Sequence, residues 1–311
     1  MNSPLHDESQ IPLRGIVPPL VTPLTSTGDF DRASYKNLID RVIEGGVHGI
    51  FVMGSTGEFA SFTSECRYAI VEESCSAAAQ RIPVVVNVSD TCLSNSLRMA
   101  EFAGRAGASA VAICPPFYFP VTQSDLVRYL MNFAERAALP VFLYNIPQNA
   151  HHELNVETVE RLSEVPNIVG LKNSSGSLEY IAAVSRIKRR RPDFAVLVGT
   201  EEILLPAMEA GADGCVCGGA NMFPALFVKL YEAVMDNRKS QAKEMQEQVI
   251  RISEALYTVG APQTSYLRGL KAALAELGVC REALAEPFGP FSEGEKEELR
   301  SRLNRLLPDL I

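Results

Sequence analysis

Eight short apolar segments between residues 15 and 217 constrain the fold of this chain more than any other feature of its sequence. Each segment is continuously apolar rather than alternating, which is typical of parallel strands that helices cover on both faces. The intervals between the segments show helical periodicity instead. Eight strands, each followed by a helix, predict the α/β architecture of a (β/α)8 TIM barrel, and a doubly wound parallel sheet is the alternative that this pattern leaves open. The segments are residues 15–18, 49–53, 84–88, 110–114, 141–144, 168–172, 195–198 and 214–217.

The pattern changes after residue 224, where the apolar segments stop and the helical spacing continues. One predicted helix ends at Gly278, and the last one begins at Ser292, which has the spacing of a capping box with Glu295. We therefore predict a C-terminal helical extension that packs on the barrel. The predicted division is a flexible tail at residues 1–12, the barrel at residues 13–236 and the C-terminal helices at residues 237–311.

The charge of the chain argues against a nucleic-acid partner. Its 37 acidic and 29 basic residues give a formal net charge of -8 at pH 7, whereas nucleic-acid binding relies on clustered lysine and arginine. The basic run at residues 188–191 is predicted to end a helix, where solvated cations complement the helix dipole. No apolar run approaches the ~18 residues of a membrane helix and the first residues lack a signal sequence, so we expect a cytoplasmic protein without a membrane partner.

The cysteine and histidine patterns predict no metal site. The seven cysteines are an odd number without a Cys-x-x-Cys pair, so we expect reduced thiols in the core. Cys215 and Cys217 share one face of a strand, but two soft ligands do not make a metal site. The adjacent His151 and His152 lack the spacing of a zinc motif.

Lys172 is the most unusual of the eight lysines, because it closes a buried strand whereas the other seven lie in predicted helices. In a barrel, the carboxyl ends of the strands face the active site. Burial lowers the pKa of a lysine and so supplies the neutral amine that attacks a carbonyl group. The residues alone leave two interpretations open: Lys172 is a nucleophile, or it pairs with an acidic side chain at the barrel mouth.

Other polar side chains follow further strands. Tyr144 ends the fifth segment, where a phenol either transfers a proton or bonds a backbone carbonyl. Residues 54–58, Gly-Ser-Thr-Gly-Glu, offer donors for a carboxylate or a phosphate, or form an ordinary turn. Glu201 and Glu202 follow the seventh segment, where paired acids bind sugar hydroxyls or stabilise the start of a helix. Residues 218–221 lie where many barrels bind phosphate.

Three motifs at strand ends make the chain resemble a known family. They are Gly-Ser-Thr-Gly-Glu at residues 54–58, Tyr-Asn-Ile-Pro at residues 144–147 and Gly-Leu-Lys-Asn-Ser-Ser-Gly at residues 170–176. Pro-Phe-Tyr-Phe-Pro at residues 116–120 adds to the match. Together they resemble the pyruvate-dependent class I aldolase family, which includes N-acetylneuraminate lyases, dihydrodipicolinate synthases and 2-keto-3-deoxy sugar acid aldolases. The resemblance extends from about residue 15 to the C-terminal helices.

The resemblance implies a lyase that forms a Schiff base between Lys172 and the ketone of pyruvate or another 2-keto acid, and that needs no metal or other cofactor. Tyr144 would shuttle protons with Ser55 and with Tyr118, a residue that in the family often comes from a neighbouring subunit. Ser55 and Thr56 would hold the carboxylate of the keto acid. The same resemblance implies a small-molecule substrate and a homo-oligomer built as a dimer of dimers.

Members of this family differ in their second substrate. Asn149 stands where dihydrodipicolinate synthases carry an arginine, whereas Glu201 and Glu202 match the acidic pair that binds substrate hydroxyls in sialic acid lyases. We therefore predict cleavage or formation of a carbon–carbon bond on a hydroxylated 2-keto acid, such as a 2-keto-3-deoxy sugar acid or a sialic-acid-like substrate. The alternatives are synthase-like condensation, dehydration of a keto-deoxy sugar acid, and keto-acid binding without catalysis. The predicted substrate-binding residues are Ser55, Thr56, Ser174, Gly199, Glu201, Glu202, Val216 and Gly218.

Overall fold

The computed structural model describes residue 11 and residues 13–309, so the predicted tail at residues 1–12 lies, except for residue 11, outside the described residues. Eight parallel strands form one sheet within this part of the chain. They are β1 (Gly15–Ile16), β2 (Ile50–Val52), β3 (Val84–Asn87), β4 (Ala110–Ile113), β5 (Val141–Asn145), β6 (Ile168–Asn173), β7 (Ala195–Val198) and β8 (Gly214–Cys215). Every strand overlaps its predicted segment.

The sheet closes into a barrel. Its strand order is β1-β8-β7-β6-β5-β4-β3-β2, so the first strand pairs with the last, with Gly15 opposite Gly214. A parallel bridge between Pro19 and Phe51 then joins the chain after β1 to β2. The predicted (β/α)8 barrel is therefore confirmed, and the doubly wound alternative is excluded because this bridge joins the two edges of the sheet, which an open sheet leaves unpaired.

Twelve helices alternate with these strands or follow them in the described chain. Several begin at residues that the sequence marks as caps: Thr63 accepts a hydrogen bond from the Cys66 amide, and Ser292 forms the predicted capping box with Glu295. The helices are α1 (Arg32–Glu44), α2 (Ser64–Ala78), α3 (Leu93–Ala106), α4 (Gln123–Arg136), α5 (Pro147–Ala150), α6 (Val156–Leu162), α7 (Leu178–Ser185), α8 (Leu204–Glu209), α9 (Pro224–Met235), α10 (Lys239–Leu256), α11 (Ser265–Glu276) and α12 (Glu293–Leu306).

The strand residues divide between two apolar cores. Val85 of β3 packs inside the barrel with Phe51 and Phe142, whereas its neighbours Val84 and Val86 belong to the cluster between the sheet and the helices. Both faces of the strands are thus buried. This explains why the eight segments read as continuous apolar runs rather than as alternating ones.

The C-terminal helices contact the ends of several strands. Gln246 of α10 accepts a hydrogen bond from the Leu205 amide at 2.8 Å and donates one to the Glu201 carbonyl at 3.1 Å. Lys271 of α11 donates to the Thr22 carbonyl, after β1, at 2.8 Å. The division at residue 236 stays a prediction. None of the described helices combines the length and the apolar character that crossing a membrane requires.

The basic run at residues 188–191 differs from the expected solvated helix end. Helix α7 stops at Ser185, and a short 3-10 helix follows it. The Lys188 ammonium donates to Asp213 at 2.9 Å, and the Arg191 guanidinium donates to Asp193 at 2.6 Å. Two of the four cations are therefore tied to neighbouring carboxylates, so part of the run is structural.

Candidate active site

Lys172 and Tyr144 lie side by side on neighbouring strands. They are partners in the register of β6 and β5, which places their side chains on the same face of the sheet. Lys172 is 4% exposed and Tyr144 is 2% exposed. The Lys172 ammonium nitrogen lies 3.9 Å from the centre of the Tyr144 ring and 4.1 Å from the centre of the Phe51 ring. The two predicted catalytic groups are thus in contact, inside the barrel near its carboxyl end.

The surroundings of Lys172 favour a neutral amine. Burial lowers its pKa to about 7. No carboxylate forms an ion pair with Lys172 anywhere in the described part of the chain. The second interpretation of this residue, a lysine paired with an acid at the barrel mouth, therefore does not apply. A large fraction of the side chain is uncharged at neutral pH.

Residues 54–58 place the Ser55 hydroxyl over this pair. The Ser55 Oγ lies 3.4 Å from the Tyr144 hydroxyl. It accepts a hydrogen bond from the side-chain amide of Asn149 at 3.2 Å. Gly57 suits this turn, because a Cβ there would lie only 3.0 Å from the Leu20 carbonyl oxygen. The turn therefore carries its hydroxyl groups on a tightly packed backbone.

Ser174 completes the surroundings of the Tyr144 hydroxyl. Burial raises the pKa of Tyr144, and hydrogen bonds from Ser55 and Ser174 oppose the rise. Ser174 has room because residue 199 is glycine: a Cβ at Gly199 would lie 2.1 Å from the Ser174 hydroxyl. Gly199 thus contributes space for a neighbouring side chain.

The acidic pair after β7 faces the C-terminal helices. Glu201 is 4% exposed. Its two carboxylate oxygens accept hydrogen bonds from the Gly219 amide at 2.8 Å and from the Tyr257 hydroxyl at 3.0 Å. Burial and the neighbouring Glu202 raise the pKa of Glu201 to about 7, and Glu202 accepts a hydrogen bond from Ser253. Both carboxylates therefore accept hydrogen bonds from the protein itself, and their role in binding substrate hydroxyls stays a prediction.

The two remaining substrate-binding predictions fall at the end of β8. Val216 is 2% exposed and belongs to the inner barrel cluster. Gly218 is buried, and a Cβ added there would lie 2.0 Å from the Tyr266 hydroxyl. The space that a side chain at position 218 would fill is therefore occupied by a residue of α11. The side-chain amide of Asn221 nearby donates hydrogen bonds to the Pro19 and Gly218 backbone carbonyls.

Tyr118 does not join the group around Lys172 within its own chain. Its side chain is 77% exposed, and its ring contacts the ring of Phe119, with 5.0 Å between their centres. No hydrogen bond joins Tyr118 to Tyr144 or Ser55 in the described residues. The predicted catalytic role of Tyr118 would therefore require another copy of the chain.

Two residues that the sequence analysis did not select also belong to this region. Tyr266 places its hydroxyl 3.1 Å from the Thr56 Oγ1. Lys271 is fully buried and donates to the Glu58 carboxylate at 2.6 Å, so Lys172 is not alone in being buried. The burial of Lys271 was predictable from the sequence, because this residue lies at helical spacing on the apolar face of α11. No comparable signal marked Tyr266.

The described residues contain no group of three or more histidine, cysteine, aspartate or glutamate side chains that could hold a metal ion. All seven cysteines are free thiols, and Cys92 among them is exposed. Burial raises the pKa of Cys114 to about 11. This thiol near Lys172 therefore remains protonated at neutral pH.

Comparisons with known proteins agree with this geometry. The family model described as the dihydrodipicolinate synthetase family matches residues 12–306. The chain belongs to this family. A 4-hydroxy-tetrahydrodipicolinate synthase from Thermus thermophilus is 34% identical over 299 residues, which are 95% of this chain and 97% of that protein.

Solved structures give the same assignment. A dihydrodipicolinate synthase from Bacteroides thetaiotaomicron is 40% identical, with a TM-score of 0.91 over 95% of this chain and 99% of that one. A prophage protein of the dihydrodipicolinic acid synthase family from E. coli K12, solved in complex with pyruvate, is 28% identical, with a TM-score of 0.91 over 96% of this chain and 100% of that one. The expected resemblance is confirmed, and the protein is a pyruvate-dependent class I enzyme.

The comparisons also bear on the second substrate. The names of the relatives support synthase-like condensation, which was the first alternative above. They support it better than the predicted reaction on a hydroxylated 2-keto acid. They give no support to a sialic-acid-like substrate.

Proposed function

We propose that the Lys172 amine attacks the ketone carbon of pyruvate and, with loss of water, forms an iminium ion. The observation that carries this proposal is a buried amine, without a carboxylate partner, whose pKa is about 7. The iminium draws electrons from the adjacent methyl carbon, which releases a proton to give an enamine. The enamine carbon then attacks an aldehyde, and water finally hydrolyses the iminium and frees Lys172.

Tyr144 and Ser55 move the protons of these steps in this proposal. The Tyr144 ring is in contact with the amine, and its hydroxyl meets the Ser55 hydroxyl at 3.4 Å. Because burial raises the pKa of Tyr144, the phenol is protonated at neutral pH. It therefore acts by passing a proton along hydroxyl groups rather than as a permanent base. Tyr118 of another copy would extend this series of hydroxyls.

The hydroxyl groups of Ser55 and Thr56 bind the carboxylate of pyruvate in the same proposal. They follow β2 on a turn whose backbone amides and hydroxyls offer several donors. Lys172 holds the keto group at the end of β6. This arrangement orients a small 2-keto acid across the barrel mouth.

We infer that the second substrate is an aldehyde that condenses with the enamine, aspartate semialdehyde being the first to test. This assignment rests on the names of the relatives and is consistent with the hydrogen bonds that Glu201 already accepts from the protein. Asn149 favours a second candidate, cleavage of a hydroxylated 2-keto acid. It is exposed and uncharged at the position where the synthases carry an arginine, so it offers no cation to the carboxylate of a semialdehyde.

Parallel assays separate the two candidates. One follows condensation of pyruvate with aspartate semialdehyde, and the other follows release of pyruvate from 2-keto-3-deoxy sugar acids. We expect condensation to be the faster reaction, and Asn149→Arg to raise its kcat/KM roughly tenfold by supplying a charged hydrogen bond. Asn304→Arg, the same substitution at an exposed position of α12, is the matched control and should change neither reaction. Efficient cleavage without condensation would overturn the condensation assignment in favour of the second candidate.

We also propose that the protein acts as a homo-oligomer, a dimer of dimers. Tyr118 and Phe119 form an aromatic pair that is 77% and 70% exposed. Adjoining exposed apolar side chains that form a contiguous patch are typical of protein interaction sites. A second copy that covers this pair would bring Tyr118 to a barrel mouth.

A further inference from the structure

Tyr266 brings a hydroxyl from the C-terminal helices to the turn that follows β2. It lies in the first turn of α11, and its hydroxyl oxygen is 3.1 Å from the Thr56 Oγ1. The residue remains 37% exposed, while Thr56 is 7% exposed. The barrel mouth thus includes a polar group that does not belong to a strand or to a loop between a strand and a helix.

The neighbours of Tyr266 hold its ring in place. Residue 218 is glycine, and a Cβ there would lie 2.0 Å from the Tyr266 hydroxyl. On another side the ring packs edge-on against Tyr257, with 4.9 Å between the ring centres and 76° between the planes. Tyr257 is itself fixed by its hydrogen bond to Glu201 at 3.0 Å. Glu201 and Gly218, both expected to bind substrate, therefore support the position of Tyr266.

The chemistry of two adjoining hydroxyls decides which one donates. A threonine hydroxyl carries one proton. If Thr56 gave that proton to Tyr266, it would turn only lone pairs toward a bound carboxylate. A phenol is protonated at neutral pH, so Tyr266 can donate its proton to Thr56. The Thr56 proton is then available to the carboxylate.

We propose that Tyr266 is a positioning residue that donates to Thr56 and so directs the Thr56 hydroxyl proton onto the carboxylate of the keto acid. This inference rests on the proposed function, in which Ser55 and Thr56 bind that carboxylate. It assigns to α11 a part in substrate recognition. It also gives a reason for glycine at position 218, where a larger residue would displace the Tyr266 hydroxyl.

The test compares two ketones that differ in the carboxylate. Pyruvate and hydroxyacetone, which carries a hydroxymethyl group instead, are each trapped on the enzyme with cyanoborohydride over a range of concentrations. We expect Tyr266→Phe to raise the half-saturating concentration of pyruvate about tenfold, as for loss of a hydrogen bond that supports a charged group. The value for hydroxyacetone should stay within about twofold, because it makes no carboxylate contact. The trapping rate at saturation should not change.

Further variants make the outcome decisive. Thr56→Val should show the same selectivity for pyruvate, and the double variant should be no weaker than Thr56→Val alone, since both changes remove one linked interaction. Gly218→Ala tests the same contact in a second way, because the added Cβ displaces the Tyr266 hydroxyl without removing it. Tyr68→Phe, whose ring packs on Phe102, is the control for loss of a phenol elsewhere.

An unchanged half-saturating concentration of pyruvate in Tyr266→Phe and Gly218→Ala would overturn the inference. So would an equal rise for pyruvate and hydroxyacetone, which indicates a general disturbance of the site. If the unaltered protein trapped neither ketone, the proposed Schiff base itself would fail, and the inference with it. Selective loss of pyruvate trapping in both variants would support it.

Discussion

Lys172 and Lys271 are buried at 4% and 0% exposure, but a carboxylate reaches only Lys271. Lys271 meets Glu58 at 2.6 Å and the Thr22 carbonyl at 2.8 Å, so its charge is compensated. Lys172 meets two aromatic rings instead, and burial lowers its pKa to about 7. The same side chain is therefore a compensated cation in one place and, in the proposed function, the reactive amine in the other.

The pH dependence of trapping tests the state of Lys172. Attack on pyruvate needs the neutral amine, and deprotonation raises its fraction as pH increases through the pKa. We expect the rate of cyanoborohydride trapping to rise between about pH 6 and pH 8 and then to level off, in line with a pKa of about 7. Stopped samples analysed by intact mass measure this rate. A rate that keeps rising toward pH 10 would show an ordinary, solvated lysine.

Between elements, the turn at residues 54–58 depends on α11. Its last residue, Glu58, has a left-handed backbone with φ of 57° and is 4% exposed. One carboxylate oxygen accepts from Lys271 and the other from the Ala285 amide at 2.7 Å. Since Ser55 and Thr56 belong to the same turn, the C-terminal helices hold both its end and, through Tyr266, its centre.

The stability of two lysine variants tests this arrangement. Lys271→Met leaves the Glu58 carboxylate buried without a cation, and we expect it to lower the free energy of unfolding by about 3 kcal/mol. Lys172→Met is the matched control. It removes an amine that no carboxylate partners, so we expect no loss of stability. Urea denaturation at one protein concentration measures both, and equal stability of the two variants would contradict the account.

The strand ends could be predicted from the sequence because they depend on local patterns. Continuous apolar runs indicate strands buried on both faces, and parallel strands bring Lys172 and Tyr144 to one edge whatever the details of packing. The hydrogen bond between Glu201 and Tyr257 could not be predicted, since the two residues lie 56 positions apart in the sequence. Tyr266 is 210 residues from Thr56. The pattern of α11 shows which face is apolar but not which strand ends it meets.

On the scale of the whole molecule, closure of the barrel assembles the site from distant parts of the chain. Ser55 and Thr56 follow β2, Tyr144 and Lys172 come from β5 and β6, and Tyr266 comes from α11. Only the folded protein therefore gives one of its lysines the surroundings of a reactive amine. An ammonium group in water has no free electron pair and does not attack a ketone.

Mapping the site of reductive trapping tests this account most directly. The protein is incubated with pyruvate and borohydride, digested, and analysed by mass spectrometry across all eight lysines. We expect the reduced pyruvyl group on Lys172 and no adduct after unfolding in urea or in Lys172→Arg, with Lys229→Arg, at an exposed position, as the control that still traps. An adduct on Lys271 or Lys229 of the folded protein, or no adduct at all, would contradict the central claim that Lys172 forms the Schiff base.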